Sequence, residues 1–569
     1  MKAVPHGSLR LTLPVQKPGE HLLVETRIDH LAQWLKSQPY GNMPVTVSNV
    51  RRSLHGFNRT EIASSSRMKG MFLYNRAYQL IAGYYTPQSF RSDKRQEKVT
   101  VQEKKDFFLL TQELAYGYKL LAIQLQKENA SKDVLADTLN LAVYYLSLVL
   151  MLHYDAYAPP PKNIWKEINN ILGFSVVHQF VDRISESHQL QGCLNTIEEN
   201  YNRIALIALA NPYHLNAGQH WPIWRYLSHW VRLAELSEDL SDFHKDQTFV
   251  VDLCGDYRPH FTLSTDNLDE STTLLLLPQK LVKQVESHLV DLRTEGKPPL
   301  PGFGSDVTAT AAERLLEVMQ YHWQMFKHRT APRYKTDDKL KVICSLVNIH
   351  AELTRNDPLY QTEETEPQFV IPTSSWRTIN TSATGICMNT HIPVREMAVG
   401  KLIALSIHNH QDDRDFWRLA AVRWQQKSRT DGHTVGAELI LGDIQAVRFI
   451  IPGAKERKEL GFIISGDHGD DGSTPPTIIF AHNALPKDKP IIMEVGDEKF
   501  GIRLTRSLQN TLFFTQSFYQ QCPVQEALDV ARQELEEIEE KRRREEAGEE
   551  VIDMEALPGF TSVQNNKSS

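Results

Sequence analysis

Two arginines, Arg329 and Arg333, stand four residues apart in the run His328-Arg-Thr-Ala-Pro-Arg333. Downstream lies the pattern Asn380-x-Ser382-x-x-Gly385. Each residue type brings a definite chemistry. A guanidinium is planar and permanently charged; its fork of donors fits phosphate oxygens or the O6/N7 edge of guanine, and its flat face stacks on rings. Asn and Ser in a turn supply short polar groups, and Gly permits positive φ and close backbone approach. The set suits a ligand that combines flat bases with phosphates. Either half alone reads more simply, as a solvated linker or as a plain turn. Their order and surroundings join them.

The elements that must position these residues can be read from periodicity. Residues 308–327 have helical spacing, with Leu315, Val318, Met319, His322, Trp323 and Phe326 on one face. The helix stops at the arginines, where Pro332 disfavours its continuation. Residues 340–347 read as a strand, 376–379 as a second running into the Asn380 turn, and 385–388 as a third leaving it. Residues 399–407, 416–424 and 435–440 follow as further strands. Short strands separated by turns suit a closed barrel.

These motifs resemble the PilZ domain, a small antiparallel β-barrel that binds the second messenger cyclic di-GMP. Val422-Arg423-Trp424 and Val435-Gly-Ala-Glu438 hold the places of two further family strands. The resemblance implies that Arg329 and Arg333 wrap and stack on the ligand. It implies that Asn380, Ser382 and Gly385 hold its other side. Trp424 and His328 form a second tier: an aromatic at the Trp424 position stacks on guanine in some members, and a barrel-core or rim tryptophan is the other reading. His328 stands where many members carry a further arginine. The stretch from Arg333 to Asn380 is longer than usual, with the excess in an acidic, Pro-containing loop, residues 354–372, that reads as a surface insertion. Residues 54–60, 113–119, 161–165, 210–213 and 249–252 resemble the amino-terminal region of long proteobacterial proteins that end in a PilZ domain.

The chain has 569 residues, enough for several domains. Apolar residues make up 41% and charged residues 23%, as in an ordinary globular protein. A net charge of −7 argues against a broad surface for nucleic-acid polymers, and leaves room for a local basic site. Five scattered cysteines without Cys-x-x-Cys fit a reducing compartment. No signal peptide is expected. The apolar run 139–152 is shorter than the ~20 residues a membrane span needs and reads as a buried core helix. The expected fold class is α+β multidomain. A mainly helical region covers 1–300, with a short β interlude at 248–277. A PilZ-like barrel with its leading helix covers 307–450, a small second β unit 451–522, and a charged helix with a disordered tail 523–569. The Pro/Gly segment 296–304 is the linker candidate. Its Leu300-Pro-Gly-Phe303 recurs as Leu557-Pro-Gly-Phe560, taken here as coincidence.

Rival chemistry is thin. His408 and His410 alternate on a strand with Asp412 and Asp413 nearby, short of the three placed ligands a catalytic zinc needs. Residues 466–472 lack the alternate-position ligands of a calcium loop and read as a hairpin turn. No nucleophile elbow or reactive-cysteine signature is present. The expectation is a cytoplasmic cyclic di-GMP receptor with no catalytic residues, no metal and no cofactor. Its output passes through the helical region to an unknown protein partner, in motility, pili, biofilm or polysaccharide control. The alternatives are a helical interaction scaffold whose barrel binds no nucleotide, and a metal-dependent enzyme.

Overall fold

The computed structural model describes residues 8–18, 24–86, 99–185, 192–245, 247–298, 301–324, 331–355, 370–409, 414–453, 456–466 and 475–546. They form two compact units. The first comprises Met1–Pro332 with His391–Pro393 and Trp424–Thr434; the second comprises Arg333–Thr390, Val394–Arg423 and Val435–Ser569.

The helical unit contains α1 (Ile28–Lys36), α2 (Met43–Arg59), α3 (Ser64–Tyr85), α4 (Val101–Lys127), α5 (Lys132–Asp155), α6 (Ile164–Val177), α7 (Ile197–Leu209) and α8 (His220–Trp230). A four-stranded antiparallel sheet follows, of β1 (Glu235–Ser237), β2 (Phe249–Asp252), β3 (His260–Phe261) and β4 (Thr273–Leu277), in the order β1-β4-β2-β3. Then come α9 (Gln279–Glu295) and α10 (Ala309–Gln324). Local chemistry sets the helix starts. Thr100 and Glu103 form a reciprocal capping box on α4, and Ser131 caps α5 through the Val134 N–H. Helix α5 is buried almost all round, with Leu139, Val143, Tyr145, Leu150 and Met151 at 0% exposure, so its apolar run serves as the core of the bundle.

Two composition-based expectations change here. The end of the Pro/Gly segment is packed: Phe303 is 1% exposed, its ring centroid 5.2 Å from that of Tyr226, and the Trp230 indole N–H donates to the Pro301 carbonyl at 2.9 Å. Gly302, at φ +140°, lies so close that a Cβ would meet Tyr226 at 3.0 Å. A glycine turn thus carries an apolar side chain into the core, which composition alone cannot reveal. Helix α10, expected to lead the barrel, buries Leu315, Leu316, Met319 and Trp323 in the helical core, and the Trp323 indole donates to the Leu206 carbonyl at 3.0 Å.

The second unit opens with β5 (Tyr334–Lys335), β6 (Lys339–Cys344), α11 (Leu346–Leu353), β7 (Thr373–Thr381), β8 (Gly385–Thr390), β9 (Leu402–Asn409), β10 (Arg414–Ser428) and β11 (Gly432–Leu439). The sheet order is β5-β7-β6-β9-β10-β11-β8, and pairing of β7 with β8 closes the barrel. The register shows β5 and β6 to be one strand broken by a bulge: Lys335 faces Asn380, whereas Lys339 faces Arg377. Inward residues alternate along each strand. Leu340, Val342, Trp376, Met388, Ile403, Leu405, Ala420 and Val422 fill the interior, while Ile343, Leu402, Ala404, Leu419 and Ala421 face outward into a second apolar layer.

That layer also takes in Phe462, Ile464, Ile479 and Phe514 of a second barrel. Its strands are β12 (Ile444–Ile451), β13 (Arg457–Ile464), β14 (Thr477–Ala481), β15 (Ile491–Val495), β16 (Glu498–Asn510) and β17 (Phe514–Cys522), closed in the order β12-β13-β14-β17-β16-β15. Strand β12, which but for Ile451 lies inside the span 307–450 assigned from sequence to the first barrel, pairs instead with β13 and β15. The expected strand 340–347 ends at Cys344, where α11 begins. Helix α12 (Val524–Glu546) lays Ala527 against Ile450 and Ile492 of the second barrel before its charged portion.

Candidate functional site

Arg333 immediately precedes β5, whose Tyr334 and Lys335 pair with Thr381 and Asn380. On the other side of β7, Asn380 pairs with Cys387 and Thr381 with Ile386. Side chains of directly paired residues lie on one face of a sheet. Ile386 belongs to the barrel interior. Lys335, Asn380 and Cys387 therefore share the outer face. Arg333, two residues before Lys335, carries the same alternation, and its guanidinium is close enough to act on the Cys387 thiol. Burial pushes that thiol up from its ordinary value, and Arg333 pulls it part of the way back. The thiol stays neutral near pH 7, so no anion of its own neutralises the arginine.

Arg333 is exposed, Asn380 half-buried. Asn380 sits in strand β7 rather than in the turn, next to a register shift between Thr378 and Asn380. The turn itself runs from Ser382 to Gly385. The Ser382 N–H donates to the Gly385 carbonyl at 2.8 Å, and its hydroxyl reaches the same oxygen at 3.3 Å. The Thr384 carbonyl accepts from the Leu439 N–H at 2.9 Å, which ties the turn to β11. Gly385 does not have positive φ. A Cβ there would meet Ser382 Oγ at 3.4 Å and the Ala437 carbonyl at 3.5 Å, both ordinary contacts. The backbone-strain role expected for Gly385 is therefore corrected. What the missing side chain leaves is an unobstructed surface at the end of β8.

Charge around this patch is uneven. Arg377 is matched by Asp337 at 2.6 Å and Arg423 by Glu438 at 2.6 Å. Among the described residues neither Arg333 nor Lys335 has an ion-pair partner. An exposed cationic face beside an amide, a hydroxyl and a bare backbone turn can bind an anion with flat rings. Among the described residues no group of three or more His, Cys, Asp or Glu side chains could hold a metal ion.

Of the residues named from sequence, Arg333, Asn380, Ser382 and Gly385 are brought together. Arg329 and His328 lie outside the described residues, as do His410, Asp412, Asp413, the His408 side chain and residues 467–474 of the Gly-Asp loop. Trp424 counts with the helical unit and is half-buried there. In the same segment the Lys427 N–H donates to the Tyr157 carbonyl at 2.7 Å. Sequence reasoning passed over Lys335 and Cys387. Lys335 follows Arg333 by two, the spacing that puts residues on one face of a strand, but β5 is too short to be seen from periodicity.

Residues 29–241 match the family of the N-terminal domain of the cyclic-di-GMP receptor FimW. The helical amino-terminal region is similar to that receptor domain. The match spans α1 to β1 and ends before the first barrel, so it bears on the helical region rather than on the residues around Arg333. The apo structure of MrkH from K. pneumonia is similar at 15% identity, over 36% of this chain and 96% of that chain, with a TM-score of 0.13. No curated protein matches the chain.

Proposed function

We propose that this protein is a cyclic di-GMP effector whose first barrel holds the ligand on its outer face. Arg333, with Arg329 from the preceding segment, pairs with phosphate and guanine edges and stacks on the rings. Asn380, Ser382 and Gly385 line the opposite side, and Trp424 and His328 are a second tier. The observation that carries the reading is the convergence of Arg333 and Asn380 on one face beside the Ser382–Gly385 turn, joined to a helical region of receptor type. Output passes through the helical region to a protein partner, in control of motility, pili, biofilm or polysaccharide. All five cysteines are thiols, which suits a cytoplasmic setting. The deciding experiment is calorimetric titration of purified protein with cyclic di-GMP, with a metal analysis alongside. Saturable binding by the wild type, lost in Arg333→Ala, supports the reading. No binding at any concentration tested would leave a helical interaction scaffold, and stoichiometric metal would favour an enzyme.

A further inference from the structure

We infer that Lys335 is a third cation of the ligand site, one that neither sequence motif contains. The inference rests on the reading above and deepens it. Three observations carry it. The register opposes Lys335 to Asn380 across β5 and β7, so the two side chains leave the same face. Cys387 opposes Asn380 on the far side of β7, and the Arg333 guanidinium acts on that thiol. Arg333, Lys335 and Asn380 therefore form one continuous outer patch rather than three separate surface residues.

The second observation is the charge pattern. The neighbouring cations Arg377 and Arg423 are each neutralised by a carboxylate, Asp337 and Glu438. Lys335 is exposed and, like Arg333, has no ion-pair partner among the described residues. Two like charges on alternate strand positions repel, and that repulsion is relieved when an anion sits between them.

The third observation is the bulge at residues 336–338. The Thr336 N–H donates to the Ile379 carbonyl and the Thr378 N–H to the Asp338 carbonyl. These bonds pin the backbone on the side of Lys335 away from Arg333, so the ammonium swings from a fixed point. A lysine is a compact point charge without the planar fork of arginine. Its partner is therefore a phosphodiester oxygen of the ligand, with the guanine edges left to arginine.

The test compares Lys335→Gln, Lys335→Arg, Arg333→Ala and, as a control, Lys339→Gln, an exposed lysine beyond the bulge on β6. Each is titrated with cyclic di-GMP at low and high salt. Lys335→Gln should bind about tenfold more weakly at low salt. The deficit should shrink at high salt because screening weakens the contact in the wild type. Lys335→Arg should restore most of the affinity, and Lys339→Gln should match the wild type. If Arg333→Ala loses binding while Lys335→Gln binds as wild type, Lys335 is no ligand residue and this inference alone fails. If Arg333→Ala also binds as wild type, the site itself is elsewhere. A Lys339→Gln deficit equal to that of Lys335→Gln would reduce the effect to general surface charge and overturn the assignment.

Discussion

The helical unit and the first barrel use cations in opposite ways. The helical unit buries and commits Arg67, Lys119 and Arg203. The Arg203 guanidinium, 0% exposed, stacks 3.6 Å above the Trp224 ring and donates to Gly192 O, Ser228 Oγ and Asn200 Oδ1. Burial lowers its pKa to about 10. Lys119 is paired with Glu167 at 2.7 Å, both nearly inaccessible to solvent. On the barrel, Arg333 and Lys335 are exposed and, among the described residues, without an ion-pair partner. A buried charge must be satisfied internally, because its desolvation costs several kcal/mol. An exposed cation keeps its water and can exchange it for a ligand. The contrast separates cations that hold a fold from cations that can recognise something.

The largest effect should come from breaking the buried side of that comparison. Lys119→Met leaves Glu167 buried with the Thr12 N–H as its remaining partner. The helical unit should lose about 3–5 kcal/mol, read as a lower midpoint in denaturant. A loss below ~1 kcal/mol would mean that water reaches the pair and that the two regions differ less than described.

On the exposed side, Arg333→Ala should leave the melting temperature unchanged. Its cost falls on cyclic di-GMP affinity, roughly ten- to a hundred-fold, or ~1–3 kcal/mol. A drop in stability with unchanged affinity would reverse the distinction.

Acid should also separate the units. Burial lowers the pKa of His153, His260, His288 and His322 in the helical unit, with His322 reaching about 4, and that of His433, in the segment Trp424–Thr434 that counts with the same unit, also to about 4. Among the described residues of the second unit, His350 is lowered in the same way. A histidine whose folded pKa is depressed costs nothing while it is neutral in both states. Below the unfolded value of ~6.5 the unfolded chain takes up a proton that the folded chain refuses. Stability is therefore lost as pH falls from about 6.5 towards 4, on the order of 1 kcal/mol for each strongly shifted histidine. Hydrogen exchange at pH 7 and pH 5 should show helical amides losing protection first. His322→Phe should reduce the difference.

Gly385→Val tests the smallest term. With ordinary space for a Cβ and a strand backbone, the variant should fold within ~1 kcal/mol of the wild type. Its branched side chain would stand on the ligand surface, and affinity should fall several-fold. Undiminished binding by the folded variant would move the ligand away from the turn.

How legible all this was in sequence depended on the length scale of the signal. Helices such as α5 and α9 announce themselves by apolar periodicity, because packing of one face repeats every 3.6 residues. The barrel strands did likewise by alternation, and the arginine and Asn-Ser-Gly motifs named their chemistry through residue type alone. The second barrel was visible as strands but not as a closed barrel, since closure depends on which strands pair. Strand β12 illustrates this: nothing within Ile444–Ile451 says whether it joins the strands before or after it.

The sequence by itself determined the helical first half, the β-rich second half and the residue types able to meet a phosphate and a guanine. Those properties are local, written in period and side-chain chemistry. Only the tertiary structure decided that Phe303 is core, that α10 belongs to the helical bundle, and that Lys335 and Cys387 share a face with Asn380. Each of these depends on residues distant in the chain becoming neighbours, and strand register, set by the summed fit of the whole barrel, is what brings them together.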